Sequence, residues 1–248
     1  MAVQPPPSPL SAYLFILASA SPRRRELLGL LGLPFITISS GPTFNLPEVD
    51  ETPLPGEAPA HLVQRLSRTK AATMVAHLLP LLSILPHDEG AQPVIIAADT
   101  DVALDDQILG KPATPAQAVQ MLQELCGRPH DVYSGITVAR PPQPLSTEAV
   151  RLVTRLHHSR VWMRPYTDAE IEAYVATGAP LDKAGAYGIQ DQPFAPVERL
   201  EGCFASVMGL PLGELALALA EVGISLPSFS AACARYSGYP CCQALSGS

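Results

Sequence analysis

Seven residues near the middle of the chain, Pro93-Val94-Ile95-Ile96-Ala97-Ala98-Asp99, constrain its fold more than any other stretch. An unbroken apolar run does not alternate, so it does not suit a strand with one wet face. It suits a strand covered on both faces, and such strands belong to sheets flanked by helices. The neighbouring segments agree. YLFIL (13–17) and PFITIS (34–39) read as two further apolar strands. Between them lies SPRRRELLGLLG, with Ser21 as N-cap, Pro22 at the first helical position, leucines at 27, 28, 30 and 31, and Gly32 as a stop. Helical patterns cover 57–79, 114–126, 167–178 and about 211–222, the third opening on a capping residue and closing on Gly178. Strand-like patterns cover 130–139, 147–164 and about 193–201, while 41–56 and 80–92 read as loops and Asp105-Asp106-Gln107 as a turn. This alternation predicts an α/β architecture.

The organisation that follows is a disordered extension over 1–12, one domain over 13–225, and a loose C-terminal tail over 226–248. Hydrophobic residues make up 47% of the 248, enough for a substantial core. The net charge of -7 argues against a nucleic-acid binder driven by bulk positive charge. An anionic small molecule remains open wherever a few basic residues converge. The five cysteines are odd in number and irregularly spaced, which gives neither a disulfide framework nor a CxxC zinc pair and fits a reducing compartment. No apolar run reaches the ~18 residues of a spanning helix, so no membrane role is expected. Ala18-Ser19-Ala20 imitates a signal-peptide cleavage site, yet residues 1–13 contain no Lys or Arg and the arginines follow the apolar run instead of preceding it. The expected location is the cytoplasm.

Five places invite chemistry. Arg23, Arg24 and Arg25 crowd the first turn of a helix, where arginine is disfavoured by about 0.3–1 kcal/mol each unless an anion compensates. The free backbone N–H groups of that turn point the same way. The bland alternative is a solvated basic patch. Lys70 falls on the apolar stripe of its helix, between Leu66 and Met74; it either snorkels at the core's edge or projects an ammonium into a cleft. Asp99, Thr100 and Asp101 end the buried run, where ligands gather in open α/β sheets. A desolvated Asp99 needs a cation, a metal or a proton; a plain strand-ending turn is the alternative. Lys111 sits in ILGKP, which lacks the GxxxxGK[ST] pattern and so is no Walker loop. LDKAGAYGIQ (181–190) has the small residues that let backbone approach a flat ligand, and Gln190 carries an amide able to read a base edge. His157 and His158 would face opposite sides of a strand and so cannot share a metal. Glu48, Asp50 and Glu51 lie in an acidic loop, either solvated or available to a hard cation.

Taken together, LASASPRRRELL, VDE, RLSRTKA, AADTDVALDDQILGKP, GRPHDVYSGITV, EIEAYVATGAPLDKAGAYGIQ and VMGLPL resemble the Maf family in order and spacing from about residue 14 to 223. The resemblance implies a mixed sheet in two lobes around a deep cleft, similar to inosine triphosphate pyrophosphatases, often in a homodimer. It implies hydrolysis of a nucleoside triphosphate to monophosphate and pyrophosphate, with Mg²⁺ or Mn²⁺ as cofactor. By position, Asp99 matches the family's proton acceptor. Arg23, Thr100 and Gln190 match base-selecting positions of the dTTP/UTP branch. Ser21, Arg24, Lys70, Lys111 and Lys183 fall where the phosphates would be held, and Glu51 with Asp99 where the metal would be. Two other readings stand beside this one: the same reaction on a modified purine triphosphate such as 7-methyl-GTP, and a weakly active nucleotide-sensing regulator of cell division. The chain departs from the family at Cys203, Phe204 and Ser206, where Asp, Tyr and Asn are common, and at Asp101 and Asp191.

Overall fold

The computed structural model describes residues 9–41, 43–82, 90–142 and 150–239. One seven-stranded mixed sheet organises them, in the order β2-β1-β3-β5-β6-β7 with β4 paired to β3. The elements run β1 (Tyr13–Ala18), α1 (Pro22–Gly29), β2 (Phe35–Ile38), α2 (Pro59–Ala76), α3 (Leu78–Leu82), β3 (Gln92–Leu104), β4 (Gln107–Leu109) and α4 (Pro115–Leu125). They continue as β5 (Pro129–Arg140), β6 (Arg151–Met163), α5 (Asp168–Ala176), β7 (Val197–Glu201), α6 (Phe204–Val207), α7 (Leu212–Glu221) and α8 (Ser230–Ser237). Strand β1 pairs in parallel with both β2 and β3, and the remaining pairs are antiparallel. The α/β class with a mixed sheet is therefore as expected.

The apolar run of β3 is covered on both faces. Ile95 and Ala97 pack with Leu14, Ile16, Met74 and Val75 beneath α2. Val94, Ile96 and Ala98 pack with Leu27, Leu28, Leu212 and Leu215 on the opposite face. Two helical layers thus exclude water from one strand, which is why alternation is missing there. Gly135 of β5 sets how closely α2 can lie. A Cβ at that position would stand 2.3 Å from the Val63 carbonyl oxygen. Ser67 then shares a 3.0 Å hydrogen bond with Thr137, and the next turn of α2 brings Lys70 over β3.

Two expectations are corrected. The buried run does not end at Asp99: β3 continues to Leu104, because β5 and then β4 supply backbone partners as far as that residue. Asp105 and Asp106, both at positive φ (50° and 64°), close the β3–β4 hairpin as a two-residue turn. The segment after 226 is not uniformly loose either. Helix α8 is held by Cys233, 1% exposed, and by Tyr236 and Tyr239 against Phe204, with Gly238 in the left-handed region as its stop. Its polar composition conceals a short apolar stripe. At the other end, Pro9–Ala12 form a 3-10 turn, inside the extension expected to be disordered. The rest of that extension (1–8), most of the 80–92 loop (83–89), the first residues of the 147–164 strand (147–149) and the end of the tail (240–248) lie outside the described residues. Among the described residues no helix is long and apolar enough to cross a membrane.

Candidate active site

Strand β1 pairs with β3 only from Gln92 to Ile96 and then stops at Ala18. Beyond that point β3 has lost its parallel neighbour, and a cleft of about 900 Å³ opens there. It lies at the carboxyl ends of the parallel strands, the usual ligand position in open α/β sheets. Alternation along β3 sends Asp99 and Asp101 toward α2 and Thr100 toward α6.

The floor on the α2 side is ionic. The Lys70 ammonium lies 2.6 Å from Glu51 Oε1 and 2.6 Å from Asp99 Oδ1. Asp99 is buried, at 7% exposure. Burial pushes the Glu51 carboxyl up, but the hydrogen bond and charge of Lys70, helped by Lys111 and Arg24, bring it below the ordinary value. Asp101 goes the other way: burial first, then the charges of Asp99 and Glu51, raise its carboxyl to about 7. Lys111 is exposed and lines the rim.

The opposite wall is the N-terminus of α1. Ser21 caps it, its Oγ accepting from Arg24 N at 3.4 Å. Arg24 Nε donates to the Gly209 carbonyl at 2.8 Å and Nη1 to Ser19 Oγ at 3.4 Å, which stretches the side chain along the cleft. Burial lowers the Arg24 guanidinium below its usual value, with Asp99 opposing. Arg23 also lines the cleft and pairs with Asp182 at 2.9 Å, whereas Arg25 is exposed and takes no part in the lining. The three arginines thus divide into one stretched along the cleft and half-buried, one at the mouth and one in solvent.

The third wall is the loop 178–191. Lys183 is buried, and its ammonium is surrounded by the Ala179 carbonyl, Asp182 Oδ1 at 3.0 Å and Asp191 Oδ2 at 3.4 Å. Asp191 also accepts from the Tyr174 hydroxyl. Gln190 lines the cleft with its Oε1 buried and without a hydrogen-bond partner among the described residues. Tyr187 forms part of the same wall, its hydroxyl 2.7 Å from His130 Nε2. Thr100 Oγ1 meets Ser134 Oγ at 2.7 Å, and Ser134 donates to the Ser206 carbonyl, so the departing segment 202–206 stands behind Thr100.

Most of the residues singled out in the sequence line this one cleft, but Asp99 and Asp101 do not: Asp99 lies buried beneath the lining, joined to it through Lys70, and Asp191 stands behind Lys183, while Arg25 and the histidine pair lie apart. His157 and His158 do face opposite ways, toward Glu214 and Asp131. Several contributors carry no strong sequence signal: Ser134, Asp182, Tyr174 and the Gly209 carbonyl. Asp182 sits inside LDKAG and was the one within reach, since a carboxylate beside Lys183 invites the question of its partner. The others depend on pairings across 17 to 185 positions of chain.

The donor set bears on a metal. Among the described residues no three Asp, Glu, His or Cys side chains converge to hold one unaided. Glu51 and Asp99 offer two hard oxygen donors converging on one cation, Lys70. Mg²⁺ characteristically takes one or two carboxylates and completes its shell with substrate phosphates and water. The residues therefore fit a cation that arrives with a polyphosphate.

Comparison with known proteins gives a consistent result. The family model described as Maf-like protein matches residues 14–222. A protein named dTTP/UTP pyrophosphatase from Geobacter metallireducens is 40% identical over 208 residues, which is 84% of this chain and 95% of that one. One of the same name from Aromatoleum aromaticum is 39% identical over 220 residues, 88% of this chain and 99% of that one. A solved nucleoside-triphosphatase (dITP/XTP pyrophosphatase) from Mycobacterium abscessus superposes with a TM-score of 0.32 at 16% identity, over 60% of this chain and 73% of that one, too loose a likeness to argue from.

Proposed function

This chain belongs to the Maf family, and from that premise we propose that it hydrolyses nucleoside triphosphates, dTTP, UTP and modified pyrimidine nucleotides foremost, to monophosphate and pyrophosphate. The observation that carries the reading is the pairing of opposites across one cleft. On one side Lys70 and Glu51 line the cleft over the buried Asp99 carboxylate that Lys70 holds, and on the other stands the Arg-bearing N-terminus of α1. The names of the similar proteins supply the bases.

In this reading, water attacks the α-phosphorus, the α–β anhydride bond breaks, and its electron pair leaves with pyrophosphate. Such a reaction asks the protein mainly for positioning and charge neutralisation. Asp99 takes the water's proton, and Lys70 fixes the carboxylate's orientation. Arg24, Lys111 and the N–H groups capped by Ser21 face the polyphosphate. Lys183 adds field more than hydrogen bonds, because three acceptors already surround it. Arg23, Thr100 and Gln190 face the base, and the unpartnered Gln190 Oε1 is the acceptor left for it. Glu51 would hold Mg²⁺ or Mn²⁺, and Asp99 would join it only in place of its role as base, since a metal-bound carboxylate takes a proton poorly. When bound, that ion neutralises phosphate charge and acidifies water. The biological role that follows is removal of excess or non-standard nucleotides, and assembly as a homodimer belongs to the same reading.

The test is pyrophosphate release by the purified chain from a panel of normal and modified triphosphates, with Mg²⁺ and with Mn²⁺, beside Asp99→Asn. Release from dTTP or UTP, lost in the variant, is the expected result. One observation favours a second reading, a nucleotide-sensing regulator with little turnover. The segment behind Thr100 carries Ser206, whose Oγ is buried without a hydrogen-bond partner among the described residues. Nucleotide binding with no pyrophosphate release from any member of the panel would select it.

A further inference from the structure

Arg23 and Gln190 stand on elements far apart in the chain, α1 and the 178–191 loop. Two groups can read one base together only if their separation is fixed. The Arg23 guanidinium has its hydrogen bonds to one residue: Nη1 donates to Asp182 Oδ2 at 2.9 Å and Nη2 to the Asp182 carbonyl at 3.5 Å. The other carboxylate oxygen, Oδ1, accepts from Lys183 at 3.0 Å. Lys183 is buried and tied in turn to Asp191, which accepts from Tyr174 of α5. Asp182 is therefore anchored from the loop side, and Arg23 is the partner being held.

From this geometry we infer that Asp182 is a specificity-positioning residue. Its carboxylate references Arg23 to the loop that carries Gln190, so the two base-facing groups keep one spacing. The inference rests on the reading that Arg23 and Gln190 face the base. Asp182 lines the cleft, and among the described residues its side chain bonds Arg23 and Lys183 and not Asp99; it acts through Arg23. Its side chain is 61% exposed, so the pair adds little to fold stability. Its effect lies in orientation, and orientation is read in substrate preference.

The experiment measures steady-state pyrophosphate release from UTP and CTP by the wild-type chain, Asp182→Ala, Asp182→Asn, Arg23→Ala and the Arg23→Ala/Asp182→Ala double variant. Asp182→Ala is expected to lower kcat/KM for UTP by about tenfold through KM, leave kcat within about twofold, and shrink the UTP-to-CTP preference by a similar factor. The double variant should be no worse than Arg23→Ala alone, because the two residues act as one unit. Asp182→Asn keeps the shape and one acceptor, should fall between, and serves if the alanine variant does not fold. An unchanged UTP-to-CTP ratio in Asp182→Ala, a fall in kcat at constant ratio, or additive losses in the double variant would each overturn the inference. A wild-type chain that releases no pyrophosphate would instead refute the proposed function. The preference is then read from equilibrium binding of UTP and CTP, where an equal ratio in wild type and Asp182→Ala overturns the inference by itself.

Discussion

The floor and the mouth of the cleft are both closed by an ion pair, and the two pairs behave as different devices. At the floor Lys70 meets Asp99 at 2.6 Å, with side-chain exposures of 18% and 10%. At the mouth Arg23 meets Asp182 at 2.9 Å, with exposures of 22% and 61%. The bond lengths are alike, so the difference lies in the solvent. Water screens the mouth, so its pair adds little to stability and acts through the geometry it gives Arg23. At the floor Lys70 and Asp99 are shielded from most of the solvent, so removing either partner strands a charge there. A cleft built this way holds Asp99 with a shielded pair and ties Arg23 to the 178–191 loop with an exposed one.

The largest expected effect breaks the floor chemically without breaking it sterically. Asp99→Asn keeps the size and one acceptor for Lys70 but cannot take a proton. Pyrophosphate release should fall by about a thousandfold or more, with nucleotide binding altered far less. A loss under tenfold would mean that the carboxylate only positions its neighbours. Lys70→Met breaks the same floor from the other partner. Glu51 and Asp99 then face each other without a cation, and we expect a loss of about 2–3 kcal/mol in stability, measured by denaturant unfolding. Adding Asp99→Asn to Lys70→Met should recover part of it, since one stranded charge is gone. Neither effect is expected for Arg23→Ala at the mouth.

The same contrast explains what the sequence discloses. Lys70 is legible because a lysine on an apolar helical stripe breaks a pattern, and Asp99 because it ends an apolar run. Both anomalies exist because the floor is buried. Asp182 breaks no pattern: an aspartate beside a lysine in a polar loop is what solvent permits anywhere, and its partner lies 159 positions away. The continuation of β3 past Asp99 is hidden for another reason. Two aspartates within three residues look like a stop, and only the antiparallel partners β5 and β4 make a strand of them. Helix α8 is hidden because its few apolar residues acquire meaning only against Phe204. The sheet was legible because burial on both faces leaves a run that nothing else explains.

A third region sharpens the comparison by acid. His130, 2% exposed behind Tyr187, is held neutral: burial lowers it to about 4. Unfolded, it titrates near 6.5, so between 6.5 and 4 the unfolded chain binds the extra proton. Stability falls as the pH drops through that window, by at most about 3 kcal/mol. His130→Gln keeps a hydrogen-bonding group for the Tyr187 hydroxyl and does not titrate there. Unfolding free energies at pH 4.5 and 7.5 should converge in the variant and diverge in the wild type. Parallel curves would show that the histidine is not the sensitive group.

The last effect belongs to Asp101, a floor carboxylate that has no salt bridge among the described residues, unlike Asp99 with Lys70. Its ionisation is raised to about 7, by burial first and then by Asp99 and Glu51. Unfolded, it ionises near 4, so between about 4 and 7 the folded chain holds a proton that the unfolded chain has lost. Stability therefore decreases as the pH rises through that window, and the full penalty is present above 7. Asp101→Asn removes the penalty without removing volume. The variant should match the wild type near pH 4, gain as the pH rises, and hold a constant advantage above 7, capped at about 4 kcal/mol by the displacement. Thermal unfolding at pH 5 and pH 8.5 checks it. An advantage equal at both pH values would place the effect in packing and leave the acidity of the floor balanced by Lys70 alone.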